Sequence, residues 1–213
     1  MPGTASPATR GRPRRSTADT REMRGRIMAS ARRLFAADGY EGVSMRRLAT
    51  DAGCAPAALY AYFPSKRAVL HVLWEEIFRD LADDMTRAAK ARRDPVKRLE
   101  TLTRTMMTFW LERPDDFRAI FLIEDRPQRP GDAYFAHSPV SLETAAILVK
   151  AARAAIDTGR MALTDADRIS HLLLTGVLGT ALSLITIPEL DWGRSGALAD
   201  DMATTLIRGL QKA

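Results

Sequence analysis

Apolar residues recur along most of this chain at the spacing of one helical face. Ile27, Ala31, Leu34 and Phe35 stand at i, i+4, i+7 and i+8, which predicts a helix over 20–37 that Asp38-Gly39 ends. Ser44 is a good N-cap for a short second helix, whose apolar side is Met45, Leu48, Ala49 and Ala52 and which Gly53 breaks. Pro56 suits the first turn of a third helix running to about Tyr62. Phe63-Pro64-Ser65 interrupts again, and Ser65 can cap a fourth helix from Lys66 to about Ala89. Helical segments follow near 95–112, 114–123, 139–158, 164–187 and 197–210. Between them lie Arg113-Pro114, a loop over 125–138 with two prolines and a glycine, Gly159, and a turn over 188–196. No stretch alternates with the period of a strand, and no repeat is present. The expected class is all-α: an N-terminal three-helix unit followed by a helical bundle.

Composition narrows the function. A chain of 213 residues with 46% hydrophobic and 27% charged residues has the make-up of an ordinary soluble protein able to bury a core. The single cysteine, Cys54, excludes an internal disulfide framework and fits a reducing compartment. His71, His137 and His171 lack metal-ligand spacing, so no metal and no cofactor is expected. The first twenty residues carry no apolar segment of a secretory signal. The apolar run His171–Ile187 is short and polar for a membrane span and reads as a buried helix, which makes the expected location cytoplasmic, with no membrane partner. Charge is uneven. Residues 1–70 hold 13 Lys+Arg against 5 Asp+Glu, and the rest hold 19 against 21. The excess positive charge therefore sits at the N-terminal end, where a polyanion would bind with release of counterions.

Helix, glycine turn and second helix beside a basic N-terminal region form the outline of a helix-turn-helix. The run GYEGVSMRRLATDAGCAPAALYAYFPSKRAVL, from Gly39 to Leu70, makes the outline specific. With Phe35 ahead of it, this run resembles the DNA-binding domain of the TetR (tetracycline repressor-like) family. The landmarks are Gly39-Tyr40, Ser44, Leu48-Ala49, Ala52-Gly53, Leu59-Tyr60, Phe63, Ser65-Lys66 and Leu70. The resemblance divides the chain into a basic arm (1–20), a DNA-binding head (21–81, its helix-turn-helix about 44–63) and a ligand-binding and dimerisation domain (82–213). It also implies phosphate contacts at Ser44, Tyr60, Tyr62 and Lys66. Each suits the role: a hydroxyl at a helix N-terminus, two phenols on helix 3, and a point charge at the start of helix 4.

Departures from the family pattern bear on recognition. Helix 3 has Ala55 where the family usually caps with serine, then Ala57 and Ala58 where Gly, Thr or Ser are common. It offers no Arg, Asn, Gln or Lys for bidentate base readout. Ala57, Ala58 and Ala61 are then expected on thymine methyls, with hydrogen-bonded readout from Arg46 of helix 2. Arg47 serves either a phosphate or an ion pair within the domain. Arg10, Arg12 and Arg14, in the run Arg-Gly-Arg-Pro-Arg-Arg, resemble an AT-hook core for a narrow minor groove; a basic arm adding nonspecific affinity is the alternative. Cys54, where the family commonly has valine, reads as a small buried hydrophobe rather than a redox switch.

No catalytic constellation is present in the second part, so no enzyme is expected. The resemblance implies an apolar cavity there, with expected lining Met106, Phe109, Trp110, Phe117, Phe121, Leu122, Leu174 and Leu178. The nearby polar groups Thr103, Thr175 and His171 define no ligand beyond an apolar or amphipathic small molecule. A homodimer is expected through Gly176, Gly179 and Thr180 of the penultimate helix and a stripe of Leu198, Met202, Leu206 and Leu210 on the last. Two identical heads imply an inverted-repeat operator on double-stranded DNA. The expected function is a ligand-responsive transcriptional repressor; the alternative is a DNA-binding dimer whose second domain only dimerises or binds protein.

Overall fold

The computed structural model describes residues 17–123 and 135–212. Among them run α1 (Thr17–Asp38), α2 (Met45–Asp51), α3 (Pro56–Tyr62), α4 (Lys66–Lys90), α5 (Pro95–Glu112), α6 (Pro114–Phe121), α7 (Pro139–Ile156), α8 (Ala166–Thr186) and α9 (Ser195–Gly209). One 3-10 turn, Phe135–His137, precedes α7, and an isolated bridge joins Met161 to Gln211. The class is all-α.

The helix ends fall within three residues of the sequence reading, with the largest shift at the start of the first. α1 starts at Thr17, so 17–20 belong to a helix and not to the arm; Asp19 in its first turn faces the positive end of the helix dipole. α7 starts at Pro139 as expected, where Ser138 caps it by accepting from the Ser141 backbone N–H at 3.2 Å. Residues 125–134 of the expected loop, Glu124 before it, and the arm residues Arg10, Arg12 and Arg14 lie outside the described residues.

α1, α2 and α3 form the head around Ile27, Ala31, Leu34, Phe35, Leu48, Ala49, Leu59 and Phe63, all buried. Ser44 caps α2 as expected, accepting from the Arg47 N–H at 3.2 Å, and Ala55 leaves α3 with no side-chain cap. The α1–α2 turn is tight at Gly42. A Cβ there would come within 2.4 Å of the Asp38 carbonyl oxygen, which is backbone and cannot swing aside. Gly42→Ala should therefore cost about 1–3 kcal/mol by overpacking. Thermal unfolding checks this, and an unchanged Tm would mean that the turn yields freely.

α4 runs without a break through the expected domain boundary at 81–82 and packs on α1, α5 and α7. α5 is the central helix of the bundle, in contact with α4, α7, α8 and α9. Its Trp110 is fully buried at the centre of a ring cluster, edge-on to Phe78, Phe109, Phe117 and Phe121. Asp94 caps α5 through the Lys97 N–H and takes both carboxylate hydrogen bonds from Arg160, at 2.8 Å each, which ties the start of α5 to the α7–α8 turn.

α6 joins the two halves. Its Asp116, 4% exposed, meets the Arg32 guanidinium of α1 at 2.6 Å, and its Ala119 carbonyl accepts from the Trp74 indole N–H of α4 at 3.1 Å. At its far end, Arg118 donates to the Ile185 carbonyl of α8 at 3.2 Å.

Candidate functional site

The head presents α2 and α3 to solvent. Ser44 and Arg46 are exposed on α2, and Arg46 has no side-chain partner among the described residues. Arg47 differs. Its guanidinium reaches Asp38 at 2.7 Å and the Gly42 carbonyl at 3.5 Å, bracing the turn between α1 and α2. Of the two roles open to Arg47, the structure shows the ion pair within the domain. On α3, Ala57, Tyr60 and Ala61 are exposed, while Ala58 and Tyr62 are half-buried. Tyr60 is 53% exposed and available to a phosphate.

Lys66 stands at the first residue of α4 but points back onto the α1–α2 turn. Its Nζ donates to the Tyr40 carbonyl at 2.8 Å, lies 4.0 Å from the Tyr40 ring centroid and is 3.7 Å from the Glu41 carboxylate. Only 21% of the side chain is exposed. Cys54 is partly buried against the core.

An apolar cavity of about 220 Å³ opens in the second part between α4, α5, α7 and α8. Met106, Trp110, Phe121, Leu174 and Leu178 line it. Three residues expected there do not. Phe109 and Phe117 are buried in the packing around Trp110, and Leu122, 44% exposed, lies past the end of α6. The sequence reading missed Phe78 and Leu81 of α4 and the wall from α7, among them Leu142, Ala145, Leu148 and Val149. The i, i+3, i+6/i+7 spacing on α7 was the available sign. The wall hydroxyls are spent internally. The Ser170 hydroxyl donates to the Ala166 carbonyl at 2.8 Å, and that of Thr144 donates to the Val140 carbonyl at 2.7 Å, with the Phe78 carbonyl 3.2 Å away as its alternative acceptor. His171 is exposed at the rim; Thr103 is buried and bonded to the Leu99 carbonyl, and Thr175 is exposed, both off the wall.

The residues expected at a dimer contact separate into two groups. Gly176 faces inward: a Cβ on it would fall 2.4 Å from Leu206 Cδ1, so this glycine lets α9 approach α8 within one chain. Thr180 and Leu210 are buried, and Leu206 packs on the core. Gly179 is exposed with open space beside it, and Leu198 and Met202 are half-buried. The exposed face of α8 also carries Leu172, Thr175, Leu182 and Thr186, spaced as one helical stripe that the sequence reading missed. α8 is long and apolar enough to cross a membrane by composition, yet it packs against α5, α7 and α9.

Comparison with known proteins agrees with the helix-turn-helix. The profile of the family described as bacterial regulatory proteins, tetR family, matches residues 27–73. The chain is 30% identical over 195 residues to the HTH-type transcriptional repressor AcnR of Corynebacterium efficiens, covering 87% of this chain and 92% of that one. It is 32% identical over 76 residues to the nucleoid occlusion factor SlmA of Haemophilus influenzae, and spans about a third (35%) of that relative's length. Among solved structures, the regulator FadR of Bacillus subtilis in complex with stearoyl-CoA superposes with a TM-score of 0.73 at 17% identity, over 87% of this chain and 98% of that one. With a repressor matched over nearly its whole length and a helix-turn-helix head whose free face carries Ser44, Arg46 and Tyr60, the chain belongs to the TetR family of DNA-binding transcriptional regulators.

Proposed function

We propose that the protein is a ligand-responsive repressor, a homodimer that binds an inverted-repeat operator and releases it when a small apolar or amphipathic molecule enters the second domain. The observation that carries this reading is the position of the cavity against α6. Phe121 at one end of α6 is part of the cavity wall, while Asp116 and Ala119 of the same helix hold α1 and α4. A ligand pressing on Phe121 therefore acts on the helix that grips the head, and a second domain serving only dimerisation needs no such void. The resemblance to a named repressor and to a regulator that holds an acyl ligand supports the same reading.

Residues 21–81 act as the head and 82–213 as the sensing and dimerising part in this reading, with α4 shared between them. Ser44, Tyr60, Tyr62 and Lys66 take phosphates, Ala57 and Ala58 pack on thymine methyls, and Arg46 reads a base. Two copies meet through the exposed stripe on α8, with Leu198 and Met202 of α9 at its edge. Burying Leu172 and Leu182 there removes apolar area from water, at about 25 cal/mol per Å².

The test is selection of operator sequences from random DNA, followed by the Arg46→Ala variant. The variant should lose about 1–3 kcal/mol of discrimination at one base pair per half-site while keeping its salt dependence. Equal loss on all operators would make Arg46 a phosphate contact, and failure to enrich any inverted repeat would overturn the dimeric repressor.

A further inference from the structure

The cavity has no charged group inside it, but its mouth leads to charge. Leu142, Ala145 and Val149 of α7 belong both to the cavity wall and to an open groove along the outer face of the same helix. Beyond those three, the groove carries Lys150 and Arg153. Both are exposed, and neither has an ion pair or hydrogen bond among the described residues. The one acid in the groove, Asp157, lies one turn past Arg153 and leaves the lining with two positive charges against one negative. His171 stands on the α8 side of the mouth and can donate or accept a hydrogen bond.

The cavity and groove together have the polarity of an amphiphile. A void of about 220 Å³ lies below the roughly 300–1,000 Å³ of a site for a bulky ligand, so a slender chain fits better than a ring system. The wall hydroxyls of Ser170 and Thr144 are committed as donors to backbone carbonyls, and apart from the Trp110 indole N–H the wall offers an anion no donor and no opposite charge, so burying a charged head inside is costly and it stays at the mouth. There it meets Lys150 and Arg153, whose donors suit a carboxylate or phosphate.

We propose that the effector is a single-chain amphiphile with an anionic head, its apolar chain in the α4–α5–α7–α8 cavity and its head held on α7 by Lys150 and Arg153. This deepens the reading of the cavity as the effector site and rests on it. Lys150 and Arg153 lie on α7 and are not part of the α8 stripe assigned to the dimer.

The experiment titrates the full-length protein with dodecanoate, dodecyl phosphate, 1-dodecanol and dodecyltrimethylammonium below their micelle concentrations, by calorimetry. Both anions should bind about tenfold more tightly than the alcohol, as expected for one charge-assisted contact, and the cation more weakly still. In the double variant K150A/R153A, whose positions are exposed and whose fold should survive, the anions should fall to within about twofold of the alcohol. Added salt should weaken the anions and leave the alcohol unchanged. Equal binding of anions and alcohol to the wild type, or undiminished anion binding by the double variant, would overturn the head site while leaving the cavity reading intact. If none of the four binds, the cavity reading falls and takes the head site with it. Preference for only the carboxylate or only the phosphate identifies which anion the site is built for, and supports it.

Discussion

Replacing Arg32 with alanine should cost markedly more stability than replacing its partner Asp116 with asparagine. The asymmetry follows from burial. The Arg32 side chain is 37% exposed and can turn to water if its partner goes, whereas Asp116 is 4% exposed and cannot. Breaking a buried pair from the side that leaves the charge inside costs about 3–5 kcal/mol, and the partial exposure of this pair places Arg32→Ala near the lower figure. Asp116→Asn keeps the shape and should cost about 1 kcal/mol.

The two variants should also differ in their response to pH. Burial pushes the Asp116 carboxyl above its ordinary 3.8, with Asp80 adding to the rise, while Arg32 and Arg113 pull it down. Glu76 is raised for the same reason and leans on Arg32 and Arg24. An acid raised in the folded state contributes stability that is complete below its unfolded pKa and is lost as pH rises through the folded value. Removing Arg32 lifts both carboxyls further and extends that loss toward neutrality. The gap between Arg32→Ala and wild type should therefore narrow on going from about pH 7 to about pH 5, as the carboxyls take up protons. Urea unfolding at the two pH values measures it. A gap that widens in acid, or equal costs for the two variants, would mean that the pair is not a buried one.

Trp110→Ala should be the most damaging single change in the bundle. The indole is fully buried and touches four phenylalanine rings, and emptying such a site costs about 3–5 kcal/mol. Trp110→Phe should be much milder. The Trp110 indole nitrogen has no hydrogen-bond partner among the described residues, and a buried unpaired donor costs about 1–3 kcal/mol. Phenylalanine removes that donor and gives back part of what its smaller volume loses, so its net cost should stay below about 1.5 kcal/mol. Chemical denaturation of both variants decides the matter, and a phenylalanine as damaging as alanine would show that the nitrogen is satisfied. Because Trp110 also lines the cavity, the alanine variant should accept a bulkier chain than the wild type.

The helices and their caps could be read in the sequence because their causes are local. Ser44 and Ser65 each accept a backbone N–H three residues on, within the reach of a single turn. What the sequence hid depends on distant pairing. Arg32 and Asp116 meet across 84 positions, and the Thr144 hydroxyl reaches the Phe78 carbonyl across 66. No periodicity announces either contact, and the apolar spacing of the α7 wall did not say which helices it would face. The two glycines of α8 make the same point at closer range. Gly176 and Gly179 differ by less than one turn, yet one is taken up by Leu206 and the other opens to solvent, and only the seat of α9 distinguishes them. Arg46 and Arg47 were separable only once Asp38 was seen to occupy the second.

The unbroken course of α4 turns a small rotation into a large displacement. Its 25 residues extend about 37 Å, so a tilt of about 5° at the Lys90 end carries the Lys66 end through about 3 Å. In a two-fold pair that movement is doubled across the assembly, to about 6 Å. Successive half-sites on DNA lie about 34–36 Å apart, and side chains that reach base edges tolerate little error in that distance. Under the ligand-responsive reading proposed above, the helix is a mechanical lever with a short arm beside the cavity and a long arm at the operator, and its stiffness sets how little a ligand has to move.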